Sequence, residues 1–409
     1  MNATLFTNGR VLDPTAGALR DGLSVLVEDG TIRAVSDAPP RGGAEIVDLG
    51  GRTLMPGLID CHVHVNASTV DIGRTAMLPS SLAALRTARI METMLQRGFT
   101  TVRDVGGADL GLVMALEEGL IAGPRLVICG KALSPTGGHG DFRSRFDDRD
   151  GDFSERAGAM SHRVDGVDAL RRACREQVKA GAQFIKLMAN GGIASPNDPI
   201  HALGFSVDEL KAAVEEADNA GFYVAAHLYT DRAIARAVDC GVHSLEHCNL
   251  IRPETAARAA AAGCIAVPTL VTYEALALEG AALGLPPESA AKIETVRTGG
   301  MDSLAIMRDA GLPMAFGSDL LGGLMKYHAM EFEIRARVLP AAEIIASATV
   351  VGAKLCRMEG TIGTIAPGAF ADLIVVDGNP LDDVTLLGSD GAHLRAIMAR
   401  GRFVKNELG

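Results

Sequence analysis

The sequence predicts a distorted (β/α)₈ barrel, an α/β fold, with a small β-sandwich domain built from both ends of the chain. Through its middle, the chain alternates segments patterned as buried strands with segments patterned as helices, as parallel barrels do. Both ends consist instead of short strands and turns. The 47 glycines and the low aromatic content of 4% also suit close packing of helices on strands.

The two ends of the chain have the pattern of β-hairpins and short strands. Asn8-Gly9 and Asp29-Gly30 each separate two strand-like runs, which is the strongest short-range signal for a hairpin. Strand patterns return at residues 371–377 and 396–404. Neither end alone could bury an apolar face, so we expect the two ends to form one domain. The predicted domains are a composite sandwich of residues 1–55 and 360–409 and a barrel of residues 56–359.

Eight segments in the middle of the chain have the apolar pattern of buried parallel strands. They are residues 58–65, 99–104, 125–131, 183–189, 222–228, 242–247, 264–270 and 313–319. Helical patterns separate most of them, and several of these end at a glycine, the expected helix stop. The predicted helices are residues 82–96, 167–180, 207–220, 231–238, 255–262 and 291–310, with another at 341–356. Ser206 and Glu209 form a capping box before the third of them.

Composition excludes several classes of protein. A net charge of −11 argues against a surface for nucleic acid or anionic membranes. The seven cysteines form no CxxC pair, so we expect reduced thiols rather than a disulfide framework. The amino terminus lacks the pattern of a signal peptide, and no run approaches the ~20 apolar residues of a membrane span. We therefore expect a soluble cytoplasmic protein.

A metal site is indicated by the stretch Gly57-Leu58-Ile59-Asp60-Cys61-His62-Val63-His64. Side chains alternate along a strand, so His62 and His64 point to the same side, roughly 6–7 Å apart along the chain. Two imidazoles at the end of a buried strand form half of a metal site. A pair of core histidines would give the same local pattern, so the rest of the chain must decide.

Further ligand-type residues fall where other predicted strands end. Lys186 lies late in the fourth strand, and His227 and His247 end the fifth and sixth. Asp319 ends the eighth. Barrel enzymes hold their active sites at this carboxyl rim, so we expect these side chains to converge with the histidines of the first strand.

With these motifs, the chain resembles the amidohydrolase superfamily over essentially its whole length. The resemblance depends on residues 56–64, on Gly317-Ser318-Asp319 and on Phe184-Ile185-Lys186, the last typical of the binuclear subtype. It implies two divalent metal ions and a Lys186 that is carboxylated by CO₂ and bridges both. The implied ligands of the more buried ion are His62, His64, Lys186 and Asp319. Those of the more exposed ion are Lys186, His227 and His247.

The chemistry of these groups agrees with the resemblance. A buried ammonium suffers a large desolvation cost and cannot ligate a cation, whereas a carbamate on Lys186 supplies anionic oxygens. Four imidazoles with oxygen ligands suit Zn²⁺, and Mn²⁺ or Co²⁺ would also fit. The implied mechanism is attack on a polarised carbonyl by a hydroxide that bridges the two metals. Asp319 either takes the hydroxide proton and delivers it to the leaving amine, or is a ligand only.

Within the superfamily, the chain is similar to the imidazolonepropionase-related group that contains bacterial Xaa-Pro dipeptidases (prolidases). The matching stretches are residues 136–141, 186–192 and 227–229. This similarity implies that Tyr229 hydrogen-bonds the scissile carbonyl oxygen. His139, in a glycine-rich loop after the third strand, is a candidate for binding a substrate carbonyl or carboxylate. Either residue could instead pack at the rim without a catalytic role.

The sequence leaves the substrate open. Arg143, Arg145 and Arg149 are candidate anchors for a substrate carboxylate, and residues 141–165 and 273–289 are predicted lids. The hypotheses are a metallo-dipeptidase of Xaa-Pro or Xaa-hydrophobic type, a hydrolase of N-acyl amino acids or of mycotoxin or pesticide amides, and an inactive barrel. The expected partner is a small amide or dipeptide. The resemblance further implies a homo-oligomer.

Overall fold

The computed structural model describes residues 3–38, 42–149, 151, 153–193, 195, 197–283 and 287–408 of the chain. Strands dominate both ends of these described residues. The amino-terminal strands are β1 (Ala3–Thr7), β2 (Arg10–Asp13), β3 (Ala18–Arg20), β4 (Ser24–Glu28), β5 (Thr31–Ser36), β6 (Glu45–Asp48) and β7 (Thr53–Pro56).

Parallel strands follow through the middle of the chain and form the barrel. They are β8 (Leu58–Val63), β9 (Phe99–Asp104), β10 (Arg125–Ile128), β11 (Ala132–Ser134), β12 (Ser161–Arg163), β13 (Ile185–Met188), β14 (Val224–Thr230), β15 (Ser244–Leu250) and β16 (Ile265–Val267). The carboxy-terminal strands are β17 (Leu373–Val376), β18 (Leu394–Ala399) and β19 (Arg402–Asn406).

Helices connect the barrel strands and cover them from outside. They are α1 (Ile72–Thr75), α2 (Ser80–Gln96), α3 (Leu110–Glu117), α4 (Val167–Lys179), α5 (Val207–Asn219), α6 (Asp231–Asp239), α7 (Pro253–Ala261), α8 (Leu270–Glu279), α9 (Pro287–Asp309), α10 (Met330–Arg335), α11 (Ala341–Ser347) and α12 (Val350–Leu355). Short 3₁₀ turns lie at Gly322–Tyr327 and Val384–Leu387. The predicted capping box is present at the start of α5, where the Glu209 N–H donates to Ser206 Oγ.

The predicted fold class is confirmed. β8, β9 and β10 pair in parallel, and β13 to β16 form a second parallel run that β11 and β12 extend. The Gln183 N–H donates to Ile128 O (2.8 Å), which joins the two runs. On the other side, residues 313–319 lie between β16 and β8, with the Asp319 N–H donating to His62 O (2.9 Å). These contacts close the barrel.

Two predicted elements are wrong in detail. Residues 313–319 are not a continuous strand, because Pro313 has no N–H and the Phe316 N–H donates to Ser347 O in α11 rather than to a neighbouring strand. The single helix predicted at 341–356 is two helices. Thr349, at φ −138° and ψ −97°, lies between them and breaks the helical backbone.

Both chain ends share one small sandwich. β17 pairs with β18 on one side and with the amino-terminal strand β7 on the other. A four-stranded sheet of β5, β4, β1 and β6 faces this mixed sheet. Side chains such as Phe6, Val25 and Val375 fill the space between them. The domain boundaries at residues 55/56 and 359/360 stay predictions.

The predicted lids have different structures. Residues 273–279 belong to helix α8, which forms one wall of the pocket described below. Part of the remaining stretch, at residues 284–286, lies outside the described residues. Residues 141–165 form an irregular segment that contains β12, with residues 150 and 152 outside the described ranges. Within those ranges, every helix is too short or too polar to cross a membrane.

Candidate active site

Three ligand-type side chains converge at the carboxyl end of the barrel. The candidate ligand atoms of His62, His64 and Asp319 all lie within 4.8 Å of one another. The Nε2 atoms of His62 and His64 are each 3.5 Å from Asp319 Oδ1. Two imidazoles and a carboxylate at this spacing are a donor set that suits a divalent transition metal.

Left-handed backbone conformations lie at the rim of the barrel. Asp319 has φ 52° and His247 has φ 71°, a region that non-glycine residues enter rarely and at a cost of about 1–3 kcal/mol. The Asp319 N–H donates to His62 O and holds the turn in place. Such strain in two candidate ligands is typical of a functional site.

The Nδ1 atoms of His62 and His64 each make a hydrogen bond to another residue of the protein. His62 Nδ1 lies 2.6 Å from Glu246 Oε2, and His64 Nδ1 lies 2.9 Å from Gly106 O. Both partners are acceptors, so each Nδ1 donates a proton and each Nε2 is the ring nitrogen left to bind a metal ion. Outer partners of this kind orient metal-binding histidines and increase their basicity.

His227 and His247 are arranged in a similar way. His227 Nε2 donates to Gly191 O (3.4 Å), which leaves Nδ1 free to ligate, and His247 Nδ1 is bonded to Thr269 Oγ1 (2.8 Å), which leaves Nε2. The two rings lie 4.7 Å apart between centroids. Burial holds the pKa of both imidazoles well below the ordinary value, so both are neutral and have lone pairs to offer.

Lys186 lines the same pocket as these four histidines. Its side chain is buried, with 1% of the residue exposed. Within the described part of the chain, its Nζ makes no hydrogen bond or salt bridge. Burial lowers the pKa of this amine, and a neutral amine is the form that reacts with CO₂. The site therefore fits a carbamate at this position.

The carboxylate that bonds His62 belongs to a buried ion pair between Glu246 and Arg103. Arg103 Nη2 donates to Glu246 Oε1 (2.7 Å), and neither side chain is exposed. Although burial alone would raise it, Arg103 and His62 hold the pKa of Glu246 below its ordinary value. Sequence reasoning missed the role of Glu246, because its partners His62 and Arg103 lie on other strands, far away in the sequence.

Tyr229 lies near the end of β14, and its ring contacts those of His227 and His247. Its ring centroid is 4.7 Å from that of His227, and the residue is 3% exposed. Asn190 Oδ1 accepts hydrogen bonds from the Tyr229 and Thr230 N–H groups and fixes this part of the strand. Burial raises the pKa of the Tyr229 phenol, so the group stays protonated and can donate.

His139 stacks on His227, with ring centroids 4.2 Å apart. Its Nδ1 is 2.6 Å from Ser195 Oγ and 3.4 Å from Asp198 Oδ2. Gly192 packs directly against His139, since a Cβ there would come within 1.9 Å of the ring. Ser195 and Asp198 were missed from the sequence because they lie over 50 positions after His139.

All eight predicted site residues line one pocket with a polar floor and apolar walls. The apolar side chains of the walls are Ile72, Phe142, Met160, Met188, Ile193, Leu276 and Leu321. No arginine lines the pocket within the described ranges. Arg143 is bonded to Asp141, and Arg149 to Asp147, outside it.

Comparisons with known proteins agree with this site. A sequence profile of the Amidohydrolase family matches residues 53–404. The ochratoxinase of Aspergillus niger is 32% identical over 347 residues, which cover 81% of this chain and 71% of that protein. A solved amidohydrolase superimposes with a TM-score of 0.98 at 51% identity, each chain being fully covered. A prolidase complexed with N-methylphosphonate-L-proline gives a TM-score of 0.97 at 48% identity, over 99% of this chain and all of that one.

Proposed function

The chain belongs to the amidohydrolase family of metal-dependent amide hydrolases, and on that premise we propose that it is a binuclear metallo-dipeptidase that cleaves Xaa-Pro or Xaa-hydrophobic bonds. The observation that supports this most is that four imidazoles, a carboxylate and a buried lysine line one pocket, the lysine having no hydrogen-bond partner among the described residues. The prolidase at 48% identity favours a dipeptide substrate.

Two divalent ions, most simply Zn²⁺, fit the donor atoms of this pocket. One would be held by His62, His64, Asp319 and the carboxylated Lys186. The other would be held by the same carbamate, His227 and His247. When bound, such ions supply a Lewis acid for the substrate carbonyl and acidify water.

In this proposal Asp319 would move the proton of the reaction. Although burial opposes ionisation, His62 and His64 lower the pKa of Asp319 to about 2, so the group is a carboxylate at neutral pH. Its Oδ1 faces these two histidines, and 18% of the side chain is exposed. Oδ2 would accept a proton from the attacking water and donate it to the leaving nitrogen.

Tyr229 and His139 would orient the substrate from the two sides of His227. The protonated phenol of Tyr229 would donate to the carbonyl oxygen as negative charge develops there. His139, fixed through Nδ1, has Nε2 left for a substrate carbonyl or carboxylate. With no arginine on the described pocket wall, His139 is the candidate for a free carboxylate.

The apolar walls favour hydrophobic side chains on either side of the cleaved bond, because burying such a group stabilises binding by about 25 cal/mol per Å². They also favour a second candidate. The 32% identity to an ochratoxinase supports hydrolysis of an amide that joins a bulky apolar acid to an amino acid.

A substrate panel tests both candidates. Zinc-loaded protein is incubated with Xaa-Pro dipeptides, Xaa-hydrophobic dipeptides and N-acyl amino acids, including ochratoxin A. Cleavage confined to dipeptides supports the dipeptidase. Cleavage confined to N-acyl compounds supports the second candidate, a hydrolase of N-acyl amino acids. Absence of turnover on every compound by metal-loaded protein contradicts both.

A further inference from the structure

We propose that Tyr273 is a positioning residue that, together with Thr269, aims the hydroxyl proton of Tyr229 into the pocket. The inference rests on the proposed function, in which Tyr229 donates to the substrate carbonyl. It adds a chain of hydrogen bonds that connects this donor to His247.

This chain of hydrogen bonds consists of three contacts between buried side chains. Tyr273 Oη donates to Tyr229 Oη at 3.2 Å. Thr269 Oγ1 lies 3.4 Å from Tyr273 Oη and 2.8 Å from His247 Nδ1. None of these four residues is more than 3% exposed. Water therefore does not compete for the bonds from outside the pocket.

The direction of these hydrogen bonds follows from which atoms carry a proton. If His247 ligates through Nε2, its Nδ1 carries the proton and donates to Thr269 Oγ1. The threonine hydroxyl is then free to donate to Tyr273, which donates in turn to Tyr229. Bonds that run in one sense strengthen one another.

The end of the chain determines what Tyr229 can do. A phenol has one proton, and Tyr229 Oη already accepts from Tyr273. Within the described residues, the Tyr229 hydroxyl makes no other hydrogen bond. Its own proton is therefore left to point into the pocket. If the Tyr229–Tyr273 bond ran the opposite way, Tyr229 would present lone pairs there and could not donate to a carbonyl oxygen.

The backbone holds the two intermediate residues in register. Thr269 is the N-cap residue of α8, and Tyr273 follows it by four positions, so both lie on one face of the helix. The Val271 N–H at the start of α8 donates to Glu331 Oε2 (2.7 Å). Glu331 is bonded in turn to Arg335, and both side chains are fully buried. The start of α8 is therefore fixed to the core.

A double-mutant cycle on Tyr273→Phe and Tyr229→Phe separates positioning from simple packing. Each change keeps the ring and removes one hydroxyl. Tyr273→Phe should lower kcat about tenfold with little change in KM, less than Tyr229→Phe, because the Tyr229 hydroxyl remains but loses its orientation. The double variant should be no slower than Tyr229→Phe alone, since Tyr273 acts through Tyr229. Wild-type kcat in Tyr273→Phe, or additive effects in the cycle, would overturn the inference.

A second readout does not depend on turnover. The chain has only four tyrosines, so protein labelled with ¹³C at tyrosine Cζ gives at most four signals. Tyr273→Phe should remove one signal and shift that of Tyr229. Tyr327→Phe, which loses a hydroxyl bonded to Glu279 outside the pocket, is the matched control and should only remove its own signal.

The two readouts distinguish failure of this inference from failure of the proposed function. If Tyr229→Phe is slow but Tyr273→Phe behaves as wild type, the function stands and the chain of hydrogen bonds is refuted. If no substrate is turned over but the Tyr229 signal shifts in Tyr273→Phe, the chain of hydrogen bonds is supported and the proposed reaction is contradicted. An unmoved Tyr229 signal refutes the chain in either case.

Discussion

Glu246 Oε2 lies 2.6 Å from Nδ1 of His62, on the side of the imidazole that faces away from Asp319. The carboxylate fixes the tautomer of a candidate metal ligand, while Arg103 balances its charge in the interior of the barrel. The proposed metal centre is therefore continuous with a buried ion pair beneath it.

Replacing this carboxylate should weaken metal binding. Glu246→Gln keeps the size of the side chain but removes the charge that orients His62, and we expect metal affinity to fall about 10–100-fold. Affinity is measured by competition with a chelator of known strength. Glu343→Gln, an exposed change on α11, is the control. Unchanged affinity in Glu246→Gln would mean that the contact serves folding only.

Glu246→Gln should also lower the melting temperature of the protein, because Arg103 would be left buried beside a neutral partner. Breaking one side of a buried ion pair costs about 3–5 kcal/mol. Thermal unfolding of the metal-free wild type and variant measures this effect separately from metal binding. Equal melting temperatures would show that Tyr223 and Ser244, which also bond Arg103, are sufficient partners.

The carbamate on Lys186 can be observed directly. Protein that is freed of metal and reconstituted in ¹³C-bicarbonate should give a carbamate carbon signal by NMR, because burial lowers the pKa of the Lys186 amine and so favours the neutral form that reacts with CO₂. Lys186→Ala should lack the signal. The same signal in wild type and Lys186→Ala, or its absence from both, would exclude carboxylation of this residue.

Gly192 should be intolerant of a side chain. A Cβ at this position would come within 1.9 Å of the His139 ring, so Gly192→Ala should displace His139 and lower kcat/KM about tenfold or more. Gly323→Ala is the matched control, because a Cβ there meets nothing within 4 Å. Equal kcat/KM for the two variants would show that the position of His139 does not affect the reaction.

Asp319→Asn should lower kcat by about 10²–10⁴-fold, the range for loss of a general acid–base group. The amide keeps an oxygen near His62 and His64 but cannot carry the proton. Steady-state kinetics on protein with verified metal content measures the effect. A variant that retains its metal and most of its kcat would restrict Asp319 to a ligand.

The sequence predicted the parts of the site that depend on local periodicity. Alternation along a strand placed His62 and His64 on one side, and strand ends placed Lys186, His227 and Asp319 on one rim. The roles of Glu246, Thr269 and Tyr273 could not be predicted, because each depends on a partner in another element. Glu246 and His62 are separated by 184 positions, and only closure of the barrel brings them together.

The limits of the fold prediction have similar causes. The eight barrel positions followed from apolar runs, but the run at residues 313–319 did not reveal that the Phe316 N–H bonds outside the ladder. The helix pattern at 341–356 likewise continued through Thr349, where the backbone breaks. Apolar periodicity reports which face is buried and is insensitive to where a hydrogen-bond ladder is interrupted.

Metal content measured against activity tests the proposed two-metal centre most directly. Metal-free protein is titrated with Zn²⁺ while bound metal, by mass spectrometry, and hydrolysis of the best substrate are followed on the same samples. We predict that activity reaches its maximum at about two ions per chain, as a two-metal site requires, and that Lys186→Ala never reaches this content. Full activity at one ion per chain, or in the absence of bound metal, would contradict the two-metal centre.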